Sequence, residues 1–262
     1  MRPPYTVILG DRRPGRCRCR ASVQGARHRC CLRRCRICDN PFRRSSGEYQ
    51  HSVLCFLSMK KVYVYVLNDM AECEIGYILQ AFSMEKLLKN GTKEFEVETV
   101  ACNKKPILTM GGLTIIPDHA ISEVDFSNIA ALLLPGSSAW GSEDNQEILK
   151  KAQECLRNDI LVGAICGATL ALADYGILDR FKHTSNSLEY LNFFSKNYAG
   201  QDLYVCSNSV SDRNLVTANS AGSLEWAKDI LKNLNVYSDK KIDAFYNYYS
   251  TGDAKYYDEL LQ

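Results

Sequence analysis

The chain has 262 residues, 46% of them hydrophobic, and a formal net charge of +2. That is enough for one large domain or two small ones. No stretch approaches the roughly 18 uninterrupted apolar residues of a membrane-spanning helix, so no membrane partner is expected. The small net charge averages two unlike segments: residues 1–58 hold 13 Arg, no Lys and three acids, for +10, whereas residues 59–262 hold 16 Lys, three Arg and 27 acids, for −8.

The first segment, residues 1–58, includes GDRRPGRCRCRASVQGARHRCCLRRCRICDN and carries seven of the 12 cysteines. It has no sustained apolar period and could not bury a core. Its charged region is too long for a secretory signal, and HSVLCFLS is too short for an apolar h-region. Three readings compete. The first is a zinc module built on Cys35-x-x-Cys38 with Cys30, Cys31 or His28, but the second Cys pair lacks the regular spacing of a finger. The second is a basic nucleic-acid arm or an Arg-rich targeting peptide. The third, which the Arg-only, Cys-rich composition favours, is a non-native leader of the kind that translation of an upstream or wrong-frame region gives. On that reading Met59 is the true start, and 59–262 is the folded domain. Cys73, Cys102, Cys155, Cys166 and Cys206 remain there, an odd number at wide spacings. That is no disulfide framework, so a reducing cytoplasm is the expected location.

KVYVYVL (61–67) is a β-branched and aromatic run that predicts a buried first strand. After the polar turn NDMAE, Ile75, Ile78, Leu79, Phe82, Leu87 and Leu88 recur at helical spacing, which predicts a helix from Glu72 to Asn90 closed by Gly91. FEVETVAC alternates as a strand. PILTMGGLTIIPD (106–118) reads as a hairpin around Gly111-Gly112, and AALLLPG (130–136) as another buried strand. SEDNQEILKKAQECLRND is a helix with an approximate capping box from Ser142. ILVGAI is a strand, and a helix runs on from Ala168. SLEYLNFFSK reads as helix, and YVCSNSVSDRNLVTAN as a hairpin turning at Ser211-Asp212-Arg213. SAGSLEWAKDILKNL is a helix with a Ser cap, and the last 23 residues are helix broken near Gly252. Strands alternating with helices predict a parallel sheet covered on both faces. There is no Gly-rich phosphate loop.

LVGAICGATLALADYGILDR (161–180) holds the chemistry. An apolar strand ends in Cys166, and a helix starts at once, which is the arrangement of a nucleophile elbow. The side chain would project above the carboxyl end of the sheet, where ligands bind in such folds. The helix N-terminus favours a thiolate, and Ala164, Gly167 and Ala168 are small enough for the turn.

AICGATLALADYGILD resembles the elbow of the ThiJ/PfpI family, within the class I glutamine-amidotransferase-like superfamily. ALLLPGSSAW resembles the strand and turn bearing part of that family's oxyanion site. NDMAECEIGYILQAF resembles its first loop and helix, and NLVTANSAGSLEWAKDIL its last hairpin and helix. The likeness spans about residues 60–235. It implies a flavodoxin-like three-layer α/β sandwich with a mostly parallel sheet, in a protein that is a homodimer in many members. It makes Cys166 the nucleophile and Glu74 the carboxyl group beside it, helix phase favouring Glu74 over Asp69 and Glu72. It assigns the oxyanion donors to the amides of Gly136 or Ser137 and of Gly167.

Histidine discriminates among the functions of the superfamily. Amidotransferases pair the cysteine with a late His-x-Glu, and this chain has no His after His183. PfpI-type peptidases place a His directly after the Cys, where this chain has Gly167. Many relatives carry a His after the elbow helix, at the position that aligns with Asn186. His183 is nearby, in a stretch expected to lie at the surface with the imidazole solvated. His183 and Asn186 are therefore candidate pocket residues only. The resemblance implies a cysteine-dependent protein, a hydrolase or glyoxalase-like lyase, acting on a small electrophile such as an α-oxoaldehyde or an oxidant. The alternative is a non-catalytic dimeric binding or stress-response protein of the same fold; a peptidase or amidotransferase-like hydrolase comes third. No cofactor, metal or nucleic acid is expected.

Overall fold

The computed structural model describes residues 59–89, 91 and 93–262. The three readings of residues 1–58 concern residues outside these. The chain opens with strand Lys60–Tyr65 (β1), a 3₁₀ turn Glu72–Ile75, and helices Gly76–Ser83 (α1) and Glu85–Leu88 (α2). Strands Phe95–Ala101 (β2), Ile107–Leu108 (β3), Thr114–Ile115 (β4), His119–Ala120 (β5) and Ile129–Leu134 (β6) follow. Helix Gln146–Arg157 (α3) leads to strand Leu161–Ile165 (β7) and helices Gly167–Asp174 (α4) and Leu188–Phe194 (α5). Strands Ser209–Asp212 (β8) and Leu215–Ala218 (β9) precede helices Ser223–Asn233 (α6), Asp239–Thr251 (α7) and Ala254–Leu261 (α8).

Seven strands form one sheet in the order β5-β2-β1-β6-β7-β9-β8, while β3 and β4 pair as a separate antiparallel hairpin. Every pairing in the large sheet is parallel except β8 with β9. Helices cover the sheet, so its central strands are apolar almost without interruption: β7 is buried at all five positions. Gly163 shows how close the packing is, since a Cβ there would lie 2.9 Å from Trp226 and 3.0 Å from Ile230, both on α6. This is the flavodoxin-like α/β sandwich that the family resemblance implied, with the parallel, covered sheet that the alternation of strands and helices predicted. Among the described residues no helix is long and apolar enough to cross a membrane.

Register places the functional loops. Leu134 on β6 pairs with Ala164 on β7, and Ile165 pairs with Ala218 on β9. The segments that leave these strands, at Pro135–Ser138, Cys166 and Asn219–Ser220, therefore emerge side by side at the carboxyl edge, the edge at which such sheets bind ligands.

Two elements differ from expectation. The helix predicted from Glu72 to Asn90 is broken into a 3₁₀ turn, α1 and α2. Tyr237, from the far end of the chain, donates its hydroxyl to the carbonyl of Ala81 at the end of α1. Glu85 is fully buried and accepts the backbone N–H groups of Glu94 and Phe95. Both contacts are tertiary and leave no trace in local periodicity. The late hairpin turns at Arg213-Asn214 rather than at 211–213, with Arg213 at φ 54°.

Candidate active site

Cys166 lies between β7 and α4 with φ 55° and ψ −121°. A non-glycine residue pays for such a conformation with strain, and the surroundings must hold it there. They do so from three sides: the Cys166 N–H donates to Ala218 O at 2.9 Å, while Cys166 O accepts from the Thr169 amide at 3.0 Å and from the Thr169 hydroxyl at 2.6 Å. With its proton directed at Cys166 O, Thr169 Oγ1 receives the Ser185 hydroxyl, 2.7 Å away. Ala164 and Ala168 are fully buried on either side of the turn.

Two glycines give the site its space. A Cβ on Gly167 would lie 2.6 Å from Ser137 O. The Ser137 backbone would have to shift to make room, which disfavours a histidine directly after the cysteine at this elbow. A Cβ on Gly136 would lie 2.7 Å from Cys166 Cβ and 2.7 Å from Glu74 Oε2. Gly136→Ala is accordingly expected to push the thiol and the carboxyl apart, costing about 1–3 kcal/mol of stability as overpacking does. Thermal melting would check the stability loss, and a Cys166 titration that no longer depends on Glu74 would check the separation.

Glu74 reaches the thiol from the 3₁₀ turn after β1. The turn is pinned by Ala71 N–H to Gly136 O at 2.9 Å and Glu74 N–H to Ala71 O at 3.1 Å. The side chain is 2% exposed, accepts the Gly136 N–H on Oε2 at 2.6 Å and hydrogen-bonds Cys166. The neighbouring acids serve elsewhere. Asp69 accepts from the Ser138 hydroxyl, and Glu72 from the Gly111 N–H at the tip of the β3–β4 hairpin. Of the three amides expected as oxyanion donors, that of Gly136 is engaged by Glu74. The Gly167 N–H is aimed at the Cys166 sulfur, and Ser137 lies against Gly167.

The structure separates the two candidate pocket residues. Asn186 Nδ2 donates to Cys166 Sγ at 3.4 Å, and its Oδ1 accepts the Ser220 N–H at 2.9 Å. The expectation that the His183 imidazole is solvated at the surface does not hold, and the residue makes no hydrogen bond to the thiol. It is fully buried, with Nδ1 2.7 Å from Phe181 O and Nε2 2.7 Å from the Tyr198 hydroxyl. The rings of Tyr198 and Tyr204 meet it edge-on. Its backbone bridges to Tyr204, which carries the segment inward. Sequence reasoning missed Ser220, whose contribution is a backbone amide and carries no residue signature. It also missed Tyr190, whose phenol is raised by burial and by the charge of a Cys166 thiolate.

Electrostatics correct the expectation of a resting thiolate. Burial pushes the Cys166 thiol up to about 11, and the Glu74 carboxylate adds to this; the Asn186 amide and the Gly167 N–H act in the opposite direction. Burial also raises the Glu74 carboxyl, against the pull of the Gly136 N–H and the thiol. The Glu74 carboxylate makes the thiol harder to ionise, while the S–H eases the ionisation of Glu74, so between the two titrations the pair keeps one proton, held mainly on sulfur. A carboxylate of raised basicity in contact with an S–H is equipped to take its proton as the sulfur attacks. Among the described residues no group of three His, Cys, Asp or Glu side chains is placed to hold a metal ion. A groove of about 540 Å³ bordered by Trp140, Leu170, Tyr175 and Phe194 lies beside α4 and is not lined by Cys166.

A mostly parallel sandwich carrying a strained cysteine at the carboxyl edge, with a buried glutamate against it, defines the class of protein. The chain belongs to the DJ-1/PfpI family, whose model matches residues 60–233. It is 38% identical over 205 residues to the uncharacterized protease YoaZ of Bacillus subtilis (strain 168), covering 78% of this chain and 98% of that protein. It is 30% identical over 186 residues to the uncharacterized protease YdeA of the same organism, covering 71% of this chain and 88% of that one. The crystal structure of a ThiJ/PfpI family protein from Bacillus anthracis superposes with a TM-score of 0.71 at 38% identity, covering 78% of this chain and 96% of that one.

Proposed function

We propose that this protein acts on a small electrophile through Cys166, with Glu74 exchanging the thiol proton. The observation that carries the reading is a sulfur held at a strained elbow between a buried carboxyl and a fixed amide N–H. With a reactive carbonyl such as an α-oxoaldehyde, the S–H proton passes to Glu74 as sulfur bonds to the carbonyl carbon. The proton then passes from Glu74 to the oxygen left anionic as the C=O π bond breaks, giving a hemithioacetal. With a peroxide, sulfur attacks one oxygen, the O–O bond breaks, and the proton leaves with the departing oxygen as water, giving a sulfenic acid.

The peptidase reading, which the names of the Bacillus subtilis relatives bring with them, is weaker: position 167 is glycine, where a side chain would press on the Ser137 backbone, and His183 faces Phe181 and Tyr198. Among the described residues no imidazole bonds the thiol, which favours, as second reading, a dimeric binding or stress-response protein that keeps the fold without turnover. A reducing cytoplasm agrees with either reading, because the five described cysteines are free. So does a homodimer, since the β3–β4 hairpin exposes Leu108, Met110, Leu113 and Ile116.

The test is to incubate wild type and Cys166→Ser with methylglyoxal, peroxide, glutamine and a peptide. Methylglyoxal consumption or sulfenic acid formation should depend on Cys166, and ammonia release from glutamine should stay at background. If Cys166 reacts with methylglyoxal and peroxide no faster than free cysteine, the second reading replaces the first. Cys166-dependent ammonia release would overturn both.

A further inference from the structure

We infer that Asn186 is a catalytic residue of this site, a fixed N–H donor that stabilises the Cys166 sulfur when it carries negative charge. This rests on the reading of Cys166 as nucleophile and assigns a role beyond it. Asn186 is bonded on both ends of its amide. The Ser220 N–H occupies Oδ1 at 2.9 Å, so the carbonyl end cannot turn toward the sulfur, and Nδ2 meets Sγ at 3.4 Å. Backbone N–H groups only donate, which fixes the amide's orientation without ambiguity.

The preceding residue ties the same segment to the same cysteine. Ser185 is 1% exposed and bonds Thr169 Oγ1, which in turn bonds Cys166 O. Ser185 thus supports the carbonyl of Cys166 and Asn186 its sulfur, and Ser220 lies two residues beyond Ala218, which accepts the Cys166 N–H. The strained residue and its donor are therefore held in one hydrogen-bonded frame. Hydrogen bonds to a charged partner strengthen as the charge develops, so this contact favours the attacking thiolate over the resting thiol. It also favours the anionic oxygen of an oxidised sulfur. An amide neither takes nor releases a proton near neutral pH; among the described residues, the titrating groups coupled to the thiol include Glu74 and Tyr190. The site works without an imidazole.

The test compares wild type with Asn186→Leu, Asn186→Asp and Asn186→His, with thermal melting as the control for folding. Asn186 is exposed, so these side chains have room. Two readouts are taken on each: the thiolate ultraviolet absorbance lost in the matching Cys166→Ser double variant, and the rate of iodoacetamide alkylation at Cys166 by peptide mass spectrometry. Asn186→Leu should raise the titration of the thiol and slow alkylation at neutral pH by about tenfold, the weight of one hydrogen bond to a charged group. Asn186→Asp should slow it further, and Asn186→His should add a limb near the ordinary imidazole range that wild type lacks. A wild-type thiolate titration in Asn186→Leu and Asn186→Asp would overturn the assignment. A Cys166 that titrates as expected across the series yet alkylates no faster than free cysteine would support Asn186 as the donor to the sulfur but overturn the nucleophile reading, and with it the catalytic role.

Discussion

Glu74→Gln should change the shape of the Cys166 reactivity profile as well as its height. In wild type the pair holds one proton from the raised carboxyl range up to the thiol's value of about 11. Across that window the reactive arrangement, thiolate beside neutral carboxyl, is a fixed fraction of the one-proton state. Alkylation should therefore be flat with pH, falling only where acid adds a second proton to the pair and rising only as pH nears the thiol's own value. Glutamine keeps the size of the side chain and cannot take the proton. The variant must ionise its thiol to solvent, so its rate should climb about tenfold per pH unit through neutral pH. The measurement is the rate of iodoacetamide alkylation at Cys166, followed by peptide mass spectrometry from mildly acid to strongly basic pH. Superimposable profiles would remove Glu74 from the chemistry.

The second large effect is expected at His183 and concerns stability. Both ring nitrogens are satisfied with the imidazole neutral: Nδ1 donates to Phe181 O and Nε2 accepts the Tyr198 hydroxyl. Burial lowers the folded-state pKa below the ordinary 6.5. The sign follows directly. Below 6.5 the unfolded chain binds a proton that the folded chain resists, so stability present above that value is lost as pH falls toward the folded-state value. His183→Leu should lose about 2–4 kcal/mol at neutral pH, because Tyr198 and the Phe181 carbonyl are left unpaired in the interior. It should also lose this acid-sensitive component. Buried Glu74 and Asp229 have raised carboxyls, whose linkage runs in the opposite direction. Urea unfolding of both proteins at several pH values, taken as a difference, cancels their part. A difference that does not shrink as pH falls below 6.5 would show that His183 is protonated in the fold.

The residues differ in how much of this could be read from the sequence. The sheet was legible because β1, β6 and β7 are buried on both faces and so read as unbroken apolar runs. The elbow was legible because a tight corner admits only small neighbours, and Ala164, Gly167 and Ala168 stand around Cys166. The proximity of Glu74 to the thiol came from the family resemblance, with helix phase favouring it over Asp69 and Glu72, although Glu74 sits on a 3₁₀ turn rather than on the predicted helix. The break after α1 was not legible, because Tyr237 lies 156 residues from the carbonyl it caps. Nor was the burial of His183, which is decided by a bridge to Tyr204. The protonated resting thiol was missed for a related reason. A helix N-terminus can be read locally, whereas the desolvation that outweighs it depends on everything packed above the corner.

The strained conformation of Cys166 has a consequence for the order in which this protein is made. Its N–H is held by Ala218 and its sulfur by Asn186, which Ser220 holds in turn. Asn186 follows the cysteine by 20 residues, but Ala218 and Ser220 follow it by 52 and 54, and Ala218 ends β9, which must insert beside β7 before the corner can close. During synthesis, when chains emerge from the N-terminus at about 5–20 residues per second, Cys166 spends its first seconds as an ordinary, relaxed cysteine. The strained corner therefore forms only when β9 docks, late in translation, when nearly the whole domain already exists around it.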